Sequence, residues 1–154
     1  MAIEIERRFL LKNNDWREFI VDESSLEQGY ITSSEGWIVR IRKEKMKYKL
    51  TLKKHINEAS CHEFEYEITQ EDGENIFIHL KNKIKKDRFY VKVNNKKWIV
   101  DCFKDQNFPL EIAEIELDTK NDPIILPSFL SKEITGLKRF SNFELSKNPY
   151  SSWK

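Results

Sequence analysis

Glutamates recur at two-residue spacing in three places: Glu4 and Glu6, then Glu63, Glu65 and Glu67, then Glu114 and Glu116. Cations do the same at Arg40 and Arg42 and at Lys86 and Arg88, while Lys49 and Lys53 stand two steps further apart. Side chains of an extended segment alternate between faces, so each set shares one face of its own strand. Two carboxylates so placed are roughly 7 Å apart, and at an effective dielectric of about 20 they repel by about 2 kcal/mol. A solvated strand face usually mixes signs, because opposite charges across strands attract and like charges repel. Here the signs are sorted strand by strand, with Asp101 as a further acid. One polyanion and one divalent cation would relieve all of these sets at once. Carboxylate oxygens are hard ligands suited to Mg²⁺ or Mn²⁺. Arg and Lys at two-residue spacing can grip consecutive phosphates, Arg bidentately.

The 154 residues suffice for one domain, expected over 1–154, with a core of its own. Twenty-seven basic residues against 26 acidic ones leave a net charge of +1, which argues against a protein that coats nucleic acid. The run Lys81-Asn82-Lys83-Ile84-Lys85-Lys86 reads as a solvated helix end entering a strand. Cys61 and Cys102 are too few for a disulfide framework and read as free thiols in a reducing compartment. His55, His62 and His79 are scattered, and Cys61-His62 lacks zinc-ligand spacing. There is no apolar leader at the start and no run of about 18 apolar residues. The expectation is a soluble, cytoplasmic protein that neither enters a membrane nor binds nucleic acid.

The elements that must carry these charges are mostly strands. Alternation marks Ile3–Leu10, with Glu4, Glu6 and Arg8 on one face and Ile3, Ile5 and Phe9 on the other. Further strands are expected at Gln28–Thr32, Trp37–Lys43, Met46–Lys53, Cys61–Ile68, Ile84–Val93, Lys97–Phe103 and Glu111–Leu117. Asn94-Asn95 is a hairpin turn, since Asn tolerates positive φ. Asn14 or Asp15 is placed to cap a short helix over Trp16–Val21. Thr69 with Asp72 has capping-box spacing for a helix running to about Leu80, whose first turn Gly73 weakens. Pro127–Glu133 is expected as a short helix stopped near Gly136. Ser141 with Glu144 opens a last helix that ends before Pro149. Short connections between alternating strands suggest an antiparallel sheet curled into a barrel, with the charged face as its lining. Inside such a lining the dielectric is lower than in water, and each charged contact counts for more.

These residues resemble the CYTH family, the triphosphate tunnel metalloenzymes. The family's opening pattern E-x-E-x-K stands here as Glu4-Ile5-Glu6-Arg7-Arg8, with Arg in place of the final Lys. Further matches run through Trp37–Arg42, Leu50–Lys53, Glu63–Ile68, Lys86–Tyr90, Ile99–Asp101, Ala113–Leu117 and Ile134–Asn142. The resemblance implies an α+β, mainly antiparallel β fold: a closed eight-stranded barrel with a few flanking helices, whose tunnel takes a linear triphosphate. It implies phosphate contacts from Arg40, Arg42, Lys53, Lys86, Arg88 and Arg139. It implies one or two Mg²⁺ or Mn²⁺ ions on Glu65, Asp101, Glu114 and Glu116, with Glu4, Glu6 and Arg8 at the reacting end. The expected activity is metal-dependent hydrolysis of inorganic tripolyphosphate to pyrophosphate and phosphate, by a monomer or homodimer. Adenylate cyclase, thiamine or nucleoside triphosphatase, and a non-catalytic polyphosphate-binding module are the alternatives. Arg8 keeps the family's charge but cannot release a proton near neutral pH. Lys138 stands where relatives often carry Pro.

Overall fold

A computed structural model describes residues 3–153. Nine strands form one antiparallel sheet: β1 (Ile3–Leu11), β2 (Ile20–Ser34), β3 (Trp37–Glu44), β4 (Lys47–His55), β5 (Ser60–Ile68), β6 (Asn82–Val93), β7 (Lys96–Phe103), β8 (Glu111–Leu117) and β9 (Leu130–Glu133). The order round the sheet is β5-β4-β3-β2-β6-β7-β8-β1, and a β1–β5 pairing closes these eight into a barrel. The closure is short, joining Ile3 to His62, Glu4 to Cys61 and Ile5 to Ser60. Beyond it the same edge of β1 pairs with β9, Phe9 opposite Glu133. Ile134 donates to the Arg8 carbonyl, and the Arg8 amide donates to Thr135 Oγ1. The edge of β1 is thereby covered, as buried backbone groups require.

The barrel has an apolar outside and a charged inside. Outer positions of β1, β6, β7 and β8 (Phe9, Val91, Trp98, Val100, Ala113, Ile115) pack with Trp16, Phe129 and Leu130. Outer positions of β3 and β4, Ile41 and Tyr48, pack under Phe77 of helix α1 (Gln70–Phe77). The inner face changes character along the barrel. Ile84, Phe103 and Ile112 on it form a second apolar cluster with Leu110, Ile134 and Leu145, joined by Leu10, Phe140, Tyr150 and Trp153. Leu145 belongs to helix α2 (Asn142–Lys147), so one end of the lumen is filled by greasy side chains and the C-terminal segment. The charged residues occupy the remainder.

At both anticipated caps the N-cap hydroxyl accepts: the Asp72 amide donates to Thr69 Oγ1 and the Glu144 amide to Ser141 Oγ. Asn94 and Asn95 take φ of 51° and 60° in the β6–β7 turn. Four local expectations are corrected. Residues 127–133 do not form a helix: Leu130–Glu133 is strand β9, because the uncovered edge of β1 offers hydrogen bonds that a helix of about two turns could not match. The segment at Trp16 is a 3₁₀ turn, Asp15–Phe19, with no side-chain cap from Asn14, and from Ile20 the chain is already strand β2, paired with Val91. Strand β2 runs 15 residues, starting well before Gln28, because its first part, from Ile20, pairs along one edge with β6 before β3 joins the other edge at Leu26. Helix α1 ends at Phe77, short of Leu80, with Phe77 buried and Ile76 exposed.

Candidate active site

Parity fixes what enters the lumen. Inward positions are Glu4, Glu6 and Arg8 on β1; Gln28 and Tyr30 on β2; Arg40 and Arg42 on β3; Lys49, Thr51 and Lys53 on β4. The series continues with Glu63 and Glu65 on β5, Lys86 and Arg88 on β6, Asp101 on β7, and Glu114 and Glu116 on β8. Two adjoining cavities open among them. An inner one of about 210 Å³ is lined by Glu6, Arg42, Glu65, Arg88, Glu114 and Glu116, among others. A mouth cavity of about 180 Å³ is lined by Arg8, Tyr30, Ile38, His55, Cys61 and Phe143, among others. Glu4, Glu6, Arg40, Lys53 and Asn142 line both, so the two form one charged space.

The acids stand together because β8, β1 and β5 are neighbours round the barrel. Glu6 faces Glu116 and Arg8 faces Glu114 directly across β1 and β8. Among the described residues, neither Glu6 nor Glu116 has a cation within ion-pair distance. Burial, then the nearby Glu114 and Glu4, pushes Glu6 up to about 7, against the pull of Arg8 and Lys53. Glu116 is raised too, by burial and by Glu4, Glu63 and Glu114. This wall carries more negative charge than its own cations relieve.

Cations gather on the opposite side. Arg40 is 5% exposed, and its Nη2 lies 3.2 Å from Thr51 Oγ1 and 3.7 Å from Glu65. Its Nε is buried without a hydrogen-bond partner. The Arg42 Nε donates to Gln28 Oε1 at 3.0 Å, and Gln28 donates in turn to the Tyr30 hydroxyl. No carboxylate lies within ion-pair distance of Arg42 among the described residues. Burial and the neighbouring Arg40 and Arg88 lower it to about 10, so it remains charged at neutral pH. Lys53 bonds Glu4 at 3.0 Å and Glu63 at 3.2 Å. Burial and Arg40 press its proton off, but Glu4, Glu6 and Glu63 outweigh them and hold the ammonium above its ordinary value.

Under the inner cavity lies a buried triad. Asp101 accepts from Lys86 Nζ at 2.7 Å and from Arg88 Nε and Nη2 at 2.9 and 3.0 Å. Burial alone would raise the Asp101 carboxyl, yet Lys86 and Arg88 hold it far below the carboxylate range. Lys86, Asp101 and Arg88 are packed as one unit, and of the three only Arg88 reaches the cavity lining. Arg8 is tied to Glu114 at 3.3 Å and to the Phe140 carbonyl at 3.0 Å. The expected site residues therefore fall into three groups. Glu4, Glu6, Arg8, Arg40, Arg42, Lys53, Glu65, Arg88, Glu114 and Glu116 face the shared space; Lys86 and Asp101 stand behind it. Arg139 lines neither cavity, being exposed with its guanidinium 3.8 Å over the Trp153 ring.

Four lining or bracing residues carry no charge, and the charge pattern did not mark them: Gln28, Tyr30, Thr51 and Asn142. Thr51 and Asn142 lie within the matching segments Leu50–Lys53 and Ile134–Asn142, and Asn142 also follows the cap Ser141.

A model of the CYTH domain matches residues 2–147. The chain belongs to the CYTH family. An inorganic triphosphatase of Acetivibrio thermocellus is 34% identical to it, the alignment covering all of this chain and 99% of that protein. The crystal structure of the inorganic triphosphatase NE1496 superposes with a TM-score of 0.69 at 26% identity, covering 95% of each chain. A putative adenylyl cyclase from Hippeastrum shares the fold, with a TM-score of 0.57 at 16% identity over 77% of this chain and 80% of that one. CYTH triphosphatases in general depend on a metal. The donors here suit a hard divalent ion: all are carboxylates, and Glu6 and Glu116 are unpaired acids whose raised affinity for a proton marks a place for positive charge. As they stand, no three metal-ligating side chains are gathered closely enough to hold an ion among the described residues. Glu4 is drawn to Lys53, and Glu114 to Arg8 and Arg88. No helix of the described residues is long and apolar enough to cross a membrane.

Proposed function

We propose that this CYTH chain is a metal-dependent triphosphatase that cleaves inorganic tripolyphosphate to pyrophosphate and phosphate within its barrel. One observation carries the reading. The guanidinium of Arg40, 5% exposed and lining both cavities, and the carboxylate-free Arg42 face a wall of crowded acids across a single enclosed space. An anion of several charges satisfies the first side and a divalent cation the second. The inorganic triphosphatase of Acetivibrio thermocellus, alike over its whole length, supports the same substrate.

Arg40, Arg42, Lys53 and Arg88 bind the phosphoryl oxygens, and the Lys86–Asp101 pair holds Arg88 in place beneath them. Gln28 fixes the Arg42 fork. Glu116, Glu114, Glu65 and Glu6 would hold Mg²⁺ or Mn²⁺; a bound ion supplies neutralisation of the charge that builds on the transferring phosphoryl group. Glu4 and Glu6 accept hydrogen bonds from a water and orient it in line with the terminal phosphorus. The enclosed lumen strengthens each of these contacts relative to bulk water. Arg139, exposed over the Trp153 ring and lining neither cavity, is left out of this phosphate set.

A second reading, an organic triphosphate such as thiamine or a nucleoside triphosphate, is favoured by the mouth cavity, where Tyr30, Ile38 and Phe143 give an apolar wall beside the charges. The free thiols Cys61 and Cys102 support a reducing, cytoplasmic setting. A panel of tripolyphosphate, ATP, thiamine triphosphate and long polyphosphate, each with Mg²⁺, Mn²⁺ or EDTA, tests the proposal. Phosphate release is expected fastest from tripolyphosphate and only with a metal. No release from any substrate would remove the hydrolase reading, and cyclic AMP from ATP would replace it.

A further inference from the structure

We propose that Asn142 is a phosphate-binding residue, its side-chain amide nitrogen donating to a phosphoryl oxygen where the inner and mouth cavities meet. The inference rests on the triphosphate reading above and deepens it. Asn142 is the first residue of α2, outside the barrel wall, yet it lines both cavities together with Glu4, Glu6, Arg40 and Lys53. Its Oδ1 accepts from Lys86 Nζ at 3.1 Å. That ammonium is a donor, already bound to Asp101 at 2.7 Å, so the face of the Asn142 amide turned to it must be the oxygen. The other end of the same planar group is then an NH₂ with two donors and no acceptor. No protein partner takes those hydrogens among the described residues, and the space they border is the one into which Arg40 and Arg42 project. A donor-only group, locked in direction by a fully buried lysine, favours an anion over a cation at that spot.

The same geometry gives Lys86 a role that its burial otherwise hides. It does not touch the cavity, but it sets the direction of Asn142 on one side and of Asp101, hence Arg88, on the other. It is a positioning residue that joins the C-terminal segment to the barrel wall.

Two substitutions separate substrate binding from mere bracing. Asn142→Ala removes both the acceptor for Lys86 and the donor to phosphate. Asn142→Asp keeps the acceptor and turns the donor into a carboxylate oxygen that repels phosphate. The expected order of KM for tripolyphosphate is wild type, then Ala, then Asp. The Ala variant should be about tenfold to a hundredfold above wild type, the range of a lost hydrogen bond to a charged group. The Asp variant should melt within a few degrees of wild type. An Asp variant with a KM at or below that of the Ala variant overturns the proposal, because bracing alone would be restored by Asp. If the Ala variant does not fold, the Asp variant against wild type carries the test, and an unchanged KM is then the overturning result. Calorimetric titration of the full chain with tripolyphosphate in EDTA keeps the two readings apart. Wild type that neither binds nor hydrolyses it defeats the triphosphate assignment. Wild type that binds it no better than the Asp variant defeats only the role of Asn142.

Discussion

Arg40 shows how much one side chain can say about a ligand. A guanidinium 5% exposed that still lines both cavities, with Glu65 at 3.7 Å as its one carboxylate within ion-pair distance among the described residues, carries charge that the fold answers only in part. Its alternating partner Arg42 was legible from the sequence, as were the acids, because charge at two-residue spacing on a strand is visible without coordinates. Its neutral helpers were not: Thr51 and Gln28 acquire meaning only when Arg40 and Arg42 are found bonded to them. Asp101 and Lys86 are a subtler case. Their types and parity were readable, but their mutual 2.7 Å contact, which turns them into a brace beneath Arg88, depends on the β6–β7 register. Arg40→Ala is expected to raise KM for tripolyphosphate about tenfold to a hundredfold, the cost of losing hydrogen bonds to a charged group. Steady-state kinetics checks this; an unchanged KM and kcat would take β3 out of the substrate site.

At the scale of elements, the strands were recovered wherever one face was charged and the other apolar, and lost where that contrast fails. The first half of β2 reads Ile20-Val21-Asp22-Glu23-Ser24-Ser25, which has no period of two, and pairing with β6 makes it a strand nonetheless. Strand β9 is too short to announce itself and exists because β1 needs an edge partner beyond β5. Helix α1 illustrates the opposite relation between local and tertiary demands. Gly73 weakens a helix by itself, about 1 kcal/mol against Ala. Here a Cβ at that position would lie 2.2 Å from Tyr48 Cγ and 2.5 Å from its Cβ, and Tyr48 is buried. Gly73 is therefore the close-approach residue that lets α1 lie on β4. Gly73→Ala should destabilise the protein by about 2 kcal/mol, overpacking outweighing the gain in helix propensity. Thermal melting checks it, and a raised melting temperature would show that α1 can lift away from Tyr48 at little cost. Since α1 is remote from the charged lumen, turnover at low temperature should be unaffected.

For the whole molecule, the lumen is a store of electrostatic strain that ligands relieve. Burial and the neighbouring Glu114 and Glu4 push the Glu6 carboxyl up to about 7, from an ordinary value of 4.5. Between those values the native state keeps a proton that the unfolded chain has released, so stability falls as pH rises from about 4.5 through about 7. The loss from this one group amounts to at most about 3 kcal/mol. Glu6→Gln in EDTA should therefore melt higher than wild type at pH 8 and show a flatter melting profile between pH 5 and pH 8. Equal slopes would mean that Glu6 is not the group under strain. Adding Mg²⁺ or Mn²⁺ at pH 8 should stabilise wild type more than the Gln variant, because the ion takes over the role of the proton.

The residue types and their alternation were enough to establish a charged strand face, its division into acidic and basic strands, and the kind of ligand pair that could satisfy both. These depend on chain periodicity and charge, which are local properties. What the sequence left open is which strands become neighbours. Closure of β5 onto β1 brings Glu63 beside Glu4, the two sharing Lys53, and β8 brings Glu114 and Glu116 to the other side of Glu4 and Glu6, so that three separate acidic runs meet in one lumen. The apolar filling of one end by Leu145 and its neighbours, and the arrival of Asn142 at the meeting of two cavities, likewise follow from packing between segments far apart in the chain. Such contacts are set by the fit of whole surfaces, which no short window of residues contains.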